Sequence, residues 1–420
     1  MEAQTDVLHQ INKCKFIKAS SNKKRHCIVT KILLSVLIIY EQWYMELTGT
    51  TIPFLLQILA LAIVLFTFFE IGNQVFDLIQ NRTFICWTVF GIVSFIYSST
   101  FGISDTTSTS GLITFFSFLG LCLCAGMVSI IENDSSWINI PIIIVSLLSA
   151  YCALTNGYER LNSNSIVISM SSFNNPNNLG LMMDIGIFAT LFPKKKASIV
   201  SWVIRCAMTG LLFFVALKTG SRSALIAAII IIAFALFNHL HYTEGNEKSK
   251  RLKRIIIISI AIAAFAFVIG YLQRNSIEGN SIYRLMNGFT QSQFSGRGNL
   301  YEKAWGYFTD HILFGLGYDC FSFVENGVFT HSTYMELLSC TGLIGFILFL
   351  YPVMTGIAEN IRNLKNDKGR KLSLLLMMIV SGLFGILYYN LVFMMLVYLT
   401  ICDPKKLDQK GSLEDEGVCN

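Results

Sequence analysis

The stretch GLITFFSFLGLCLCAGMVSII, from Gly111 to Ile131, runs for 21 residues without a charged side chain. At 1.5 Å per residue a helix of that length spans about 32 Å, enough to cross a hydrocarbon core about 30 Å thick. Similar apolar runs lie on either side, near 27–44, 51–69, 83–99, 138–155, 179–193, 198–217, 223–239, 255–272, 333–353, 372–387 and 390–402. With the first, these predict an all-α fold: a polytopic bundle of about twelve transmembrane helices. Proline is scarce and falls at span boundaries, at Pro53, Pro141, Pro176, Pro193 and Pro352, where a helix starts or stops most easily.

Composition agrees with a lipid environment. The 420 residues are 53% hydrophobic and only 14% charged, with a mean hydropathy of +0.57, whereas soluble domains carry roughly 25% charge. No stretch is polar enough for a separate soluble domain. The net charge of +6 is spread in short blocks between the apolar runs, a pattern that sets topology and argues against nucleic acid as a partner. Most of the eleven cysteines sit inside spans (Cys86, Cys122, Cys124, Cys152, Cys206), with no C-x-x-C pair. They read as small apolar residues, and no metal site is expected. A disulfide between Cys320 and Cys340 stays open.

Orientation follows from the loops. One alternating set holds the N-terminal Lys13, Lys15, Lys18, Lys23, Lys24 and Arg25, then Arg82, Lys194–Lys196, five cations in 248–254, five in 362–371 and three in the C-terminal tail. The other holds only Arg160, Lys218, Arg222, Arg274, Arg284, Arg297 and Lys303. Lysine and arginine concentrate on the cytoplasmic side, so both termini are expected there. The N-terminal basic region is too long for a cleavable signal and lacks a small-residue cleavage site, so the first span reads as retained. The longest loop, 273–332 between spans 9 and 10, then lies outside, where no nucleoside triphosphate is available. The polar segments 156–178 and 218–222 lie on the same side. Within the long loop Leu300, Ala304, Tyr307, Phe308 and Ile312 recur at helical spacing, predicting an amphipathic helix over 299–314 resting on the bundle or the interface.

Three outside features combine charge with a boundary position. TGSRS (219–223) opens a span, and the free N–H groups of a helix start with an arginine beside them form a seat for phosphate; an arginine there also reads as one snorkelling to the interface. FSGRGN (294–299) repeats the arrangement ahead of the amphipathic helix. HSTY (331–334) puts a histidine, a base or hydrogen-bond donor near neutral pH, at the outer end of a span. Inside the membrane, Asp184 and Arg205 fall at similar depth on successive antiparallel spans. Buried charges are costly unless paired, which predicts a structural ion pair between them.

In order along the chain, FNNPNNLG (173–180), TGSRSAL (219–225), GRGNLYEKAW (296–305), DHILFGLGY (310–318), HSTYMEL (331–337) and GLIG (342–345) resemble the core of the O-antigen ligase and polysaccharide polymerase family. The resemblance covers roughly 170–350. One departure is Ser332, where an asparagine often follows the histidine.

That resemblance implies a helical bundle similar to other integral-membrane glycosyltransferases. It also implies transfer of a glycan from a polyprenyl-pyrophosphate carrier, with no cofactor, metal or nucleotide sugar. Carried over, Arg222 and Arg297 would hold the pyrophosphate as it leaves, and His331 would meet the acceptor hydroxyl. Ser221, Lys218, Arg160, Asn177, Arg284, Tyr318 and Tyr334 would line the substrate site, and Asp310, Asp319 and Glu336 are carboxylates available should the base not be histidine. Residues 27–402 would form the transmembrane catalytic domain, between cytoplasmic tails at 1–26 and 403–420. The expected setting is the bacterial inner membrane, with a lipid-linked oligosaccharide as both donor and acceptor and a flippase and chain-length regulator as partners. Such polymerases vary with each polysaccharide, and a chain matching only the minimal motifs points to a polymerase of repeat units. Ligation of finished polymer to another lipid or protein is the nearest alternative. A flippase or exporter of lipid-linked oligosaccharide should show inverted repeats and charges lining a midplane cavity; no repeat stands out, and the cations sit in the outside loop.

Overall fold

The computed structural model describes residues 27–41, 53–71, 78–79, 81–103, 105–132, 134–162, 165–170, 176–192, 199–241, 297–362, 369–388 and 390–401. The helices in order are α1 (Cys27–Ile39), then α2 (Pro53–Ile71), α3 (Arg82–Phe101), α4 (Asp105–Glu132), α5 (Asn139–Asn156), α6 (Pro176–Leu191), α7 (Ile199–Lys218) and α8 (Arg222–His241). They continue with α9 (Arg297–Asp310), α10 (Cys320–Val324), α11 (Thr333–Arg362), α12 (Arg370–Gly382) and α13 (Leu391–Ile401). Between α5 and α6 the chain forms one antiparallel hairpin, β1 (Gly157–Asn162) with β2 (Ser165–Met170), in the register Gly157 to Met170 and Asn162 to Ser165. The fold is otherwise helical among the described residues. Both tails, the span expected at 255–272 and the first part of the long loop lie outside them.

Among the described residues five helices are long and apolar enough to cross a membrane: Arg82–Phe101, Thr109–Glu132, Ser136–Thr155, Val200–Lys218 and Thr333–Arg362. Their outer faces carry large apolar side chains in the open, including Ile85, Ile92 and Ile96 on α3 and Val200, Val203 and Ile204 on α7. Faces of that kind are at home against lipid rather than water. Inside, small residues let helices approach: Gly186 of α6 lies against Ser146 of α5, whose hydroxyl donates to the Met182 carbonyl at 3.0 Å, a packing mode suited to lipid. α6 packs against α5, α7 and α8; α12 packs on α8; α11 packs on α3, α9 and α12. Near α11 an aromatic core gathers Trp87, Phe90, Phe115, Tyr318, Phe349 and Tyr388.

The backbone of α11 breaks at Gly342, which holds φ 62° and ψ −165°. A break leaves helix carbonyls and amides without partners, which is tolerated at membrane depth only where protein replaces water. Here residues 312–317 fill the gap. Leu316 and Gly317 N–H donate to the Ser339 and Cys340 carbonyls at 2.9 and 3.0 Å, and Leu343 and Ile344 N–H donate to the Ile312 and Leu313 carbonyls at 2.8 and 3.2 Å. The amphipathic helix therefore ends at Asp310 rather than near 314, and the chain beyond it is stitched into α11.

Two other expectations are corrected. The runs at 372–387 and 390–402 form helices of 13 and 11 residues, about 20 and 17 Å long, because α12 stops at Gly382 and its continuation turns away from helix. The expected Asp184–Arg205 pair does not form: Arg205 donates to the Thr190 carbonyl at 2.8 Å and to Ser201 Oγ at 3.3 Å. Neither oxygen of the fully buried Asp184 has a hydrogen-bond partner among the described residues. Helical phase explains it. Gly186 and Thr190, four apart, share the face of α6 that meets α5 and α7, with Gly186 beside Ser146 and Leu212. Asp184, two residues before Gly186, points about 160° away around the helix, on the stripe of Gly180 and Phe188.

Candidate functional site

At the start of α8, Thr219, Gly220, Ser221 and Ser223 are all buried. Gly220 adopts φ 68°, a left-handed turn that glycine makes without strain. Thr219 Oγ1 donates to the Ala216 carbonyl at 2.7 Å and accepts the Ser221 N–H at 3.2 Å. Ser221 Oγ lies 2.9 Å from Ser223 Oγ and accepts the Ala224 N–H at 3.4 Å. Ser221 is thus a helix cap that rigidifies the turn, and its hydroxyl is spent on that role. Arg222 follows as the first helical residue, half-buried and engaged with no described side chain.

Arg297 opens α9 in the same way, half-buried at its first position. Its positive charge acts on the phenol of Tyr301, one turn on. Tyr301 in turn donates to the Leu383 carbonyl at 3.4 Å; burial pushes its phenol up, with Arg297 opposing. The far side of α9 is strapped to α10 by Lys303 and Glu325, 2.5 Å apart, with Tyr307 donating to Glu325 at 2.9 Å. Hydrogen bonding from Lys303 holds the Glu325 carboxyl below its usual range.

His331 sits in the left-handed region at φ 56°, a conformation that costs a non-glycine residue about 1–3 kcal/mol and so requires anchors on both sides. On one side Glu336 Oε2 accepts the Thr330 N–H at 3.0 Å and lies 2.7 Å from Thr330 Oγ1. On the other, Thr333 donates through its N–H and its hydroxyl to the Gly385 carbonyl at 3.0 and 2.7 Å. Thr333 Oγ1 also accepts the Leu387 N–H at 2.9 Å, and Ser332 Oγ reaches the Gly382 carbonyl at 3.5 Å. Burial first, and then the positive charge of Arg297, push the His331 imidazole below its ordinary pKa of 6.5. It is therefore neutral at pH 7 and free to accept a proton.

One segment joins these pieces. The carbonyls of 382–385, just past α12, receive Tyr301, Ser332, Thr333 and also Asn177, whose Nδ2 donates to the Phe384 carbonyl at 3.5 Å. Asn177 belongs to the first turn of α6, and Gly180, on the next turn, lies against Ser221 and Thr219. The starts of α6, α8, α9 and α11 thus meet around the end of α12, bringing Arg222, Arg297 and His331 to one end of the bundle. Two half-buried guanidinium groups at helix N-termini, one of them acting on a neutral imidazole, suit an anionic leaving group and a hydroxyl that must lose its proton.

The remaining expected residues divide. Lys218 lies over the Phe214 ring at 5.9 Å. Arg160 is in β1, and Arg284 falls outside the described residues. Tyr318, expected to line the substrate site, is 1% exposed and packs among Phe90, Phe115 and Tyr388; it is a core residue. The hydroxyl of Tyr334 donates to the Ile379 carbonyl at 2.9 Å, so it ties α11 to α12. Cys320 and Cys340 are both buried and no disulfide joins them, and Cys340 Sγ accepts the Phe321 N–H at 3.4 Å. Sequence reading missed Tyr301, Thr330 and the 382–387 segment. A signal for the last was present, since Gly382 and Gly385 interrupt an otherwise apolar run.

Residues 207–350 match the family described as O-antigen ligase. The match spans about a third of the chain and takes in the α8 turn, α9, the 312–317 stitch and the break in α11, with Arg222, Arg297 and His331 all inside it. It supports a membrane protein of the O-antigen ligase and polymerase family, whose members are glycosyltransferase-like enzymes acting on lipid-linked glycans. No curated protein matches the chain.

Proposed function

We propose that this chain, a membrane protein carrying the O-antigen ligase family segment, is a polymerase that joins polyprenyl-pyrophosphate-linked repeat units of a bacterial surface polysaccharide. The observation that carries the reading is the meeting of Arg297 and His331 beside the end of α12, with the arginine's charge acting on the imidazole. A hydroxyl of the acceptor glycan attacks the anomeric carbon of the donor. The new carbon–oxygen bond forms as the bond to the carrier pyrophosphate breaks. The hydroxyl proton passes to His331, and the pyrophosphate departs as an anion stabilised by Arg222 and Arg297. Asn177 and Lys218, beside the same end of the bundle, meet the glycan or its carrier. Arg160 and Arg284 supply further outside cations.

The reading includes the membrane arrangement: a helical bundle in the inner membrane, both termini cytoplasmic, and the loop at 273–332 outside beside a flippase and a chain-length regulator. It is supported by the distribution of Lys and Arg between alternate loops.

Deleting the gene and separating the cell's surface and lipid-linked glycans by length tests the function. Glycans stopping at one repeat unit, with the ladder restored by wild type and not by Arg222→Ala, Arg297→Ala or His331→Ala, are the expected result. A full ladder left on the carrier lipid would mean a ligase, and single units held on the cytoplasmic face would mean a transporter.

A pH profile checks the base. Transfer needs neutral His331, so kcat/KM holds down to pH 6.5 and falls only below it, because the imidazole protonates below its ordinary value. Arg297→Gln removes the charge that opposes protonation, and the acid limb moves up toward pH 6.5.

A further inference from the structure

We propose that Glu336 is the residue that positions His331, acting through Thr330; the inference rests on the glycan-transfer reading above. Glu336 is fully buried in the first turn of α11. A carboxylate placed where water is absent is costly unless donors converge on it, and here they do. Its Oε2 takes the Thr330 N–H at 3.0 Å and lies 2.7 Å from the Thr330 hydroxyl. Its Oε1 lies 3.8 Å from Cys340 Sγ, one turn further along α11.

Thr330 passes the constraint on. Its Oγ1 accepts the Ser332 N–H at 3.2 Å and lies 2.9 Å from the Ser332 carbonyl. The two residues flanking His331 are thereby tied to each other across it, and both to Glu336. The loop closes again where the Glu336 N–H donates to the Ser332 carbonyl at 2.9 Å. This ring fixes His331 in its left-handed backbone conformation, and the backbone fixes where the imidazole stands relative to Arg297. The 382–387 segment holds Ser332 and Thr333 from the other side, whereas the hydrogen bonds of Thr330 run to Glu336 and Ser332. Without the Glu336 carboxyl, Thr330 keeps only its bonds to Ser332 and loses its tie to α11.

A carboxyl group is suited to this place because one oxygen takes the Thr330 N–H, the Thr330 hydroxyl proton is shared between that oxygen and the Ser332 carbonyl, and Cys340 faces the other oxygen. Glutamine keeps the oxygen that faces Thr330 and loses only the acceptor facing Cys340. Alanine loses both.

The test measures kcat and KM in vesicles containing the purified protein and a lipid-linked repeat unit, beside the NMR signal of the His331 imidazole. Glu336→Ala should lower kcat by about 100-fold, the loss that a misplacement near 1 Å produces, with donor KM within about twofold of wild type. Glu336→Gln should lose less than about tenfold, and Thr330→Val, which keeps the N–H and drops the hydroxyl, should fall between. The imidazole signal and its titration should move in Glu336→Ala and stay in Glu336→Gln. Wild-type kcat in Glu336→Ala, or equal damage in Glu336→Gln, overturns the proposal, the latter because charge rather than the clamp would then matter. If Glu336→Ala fails to accumulate, unchanged kcat in Thr330→Val overturns it. If wild type transfers no glycan, the functional reading falls, and an imidazole signal unmoved in Glu336→Ala separately overturns the positioning role.

Discussion

Arg297→Ala lowers kcat for transfer of lipid-linked repeat units by about 100- to 1,000-fold, the range seen when one preorganised donor to a developing anion is removed. Three features make the loss large. Arg297 is the first residue of α9, so its guanidinium and the free N–H groups of the helix start present positive potential to the same point. It is half-buried, where charge is screened less than in open water. Tyr301, one turn on and hydrogen-bonded to Leu383, lies close enough to feel its charge, so the guanidinium has an ordered neighbour when pyrophosphate departs. Arg297→Lys keeps the charge but not the fork that grips two phosphate oxygens, and recovers only part of the rate. A variant that raised KM and left kcat intact would make Arg297 a binding residue and remove it from the chemistry.

Gly342→Ala should prevent the protein from accumulating in the membrane. At φ 62° and ψ −165° the backbone is in a region open essentially to glycine alone. A Cβ there would also lie 2.4 Å from the Leu313 carbonyl carbon and from the Phe314 nitrogen. Those atoms are backbone, and they are held in place by the hydrogen bonds that satisfy the break in α11, so neither side can give way. Gly315 has the reciprocal problem, with a Cβ 2.5–2.6 Å from backbone atoms of Ser339, Cys340 and Thr341. The expected loss is about 4 kcal/mol or more, at the extreme of single substitutions. Melting in detergent measures it, with Gly210→Ala as the control because nothing lies within 4 Å of its Cβ position. A Gly342→Ala protein melting with wild type would mean that the 312–317 stitch is not rigid.

The helices of the bundle were legible because lipid imposes length and hydropathy on each span, and α9 was legible from its apolar spacing. The chemistry of the site was legible where a charge stood at a helix start, as at Arg222 and Arg297. Rotation about a helix axis was not. Asp184 and Arg205 share a depth, yet the phase of α6 sends the carboxylate away from α7 while Arg205 caps the Thr190 carbonyl. Long-range backbone pairing was hidden as well. Nothing local to FGLG (314–317) says that it will complete a broken helix at TGLIG (341–345), although both carry the glycines the contact requires. Tyr318, between those glycines and the start of α10, read as a substrate residue for the same reason: its neighbours in the core are far away in sequence.

The central claim is that this chain itself lengthens lipid-linked glycans. Purified protein in vesicles, given a single polyprenyl-pyrophosphate-linked repeat unit and nothing else, measures that most directly. The account predicts a ladder of lipid-linked products with release of free polyprenyl pyrophosphate, both lost in Arg297→Ala and His331→Ala. Single units that remain single in the presence of folded protein, or that only change leaflet, would contradict it.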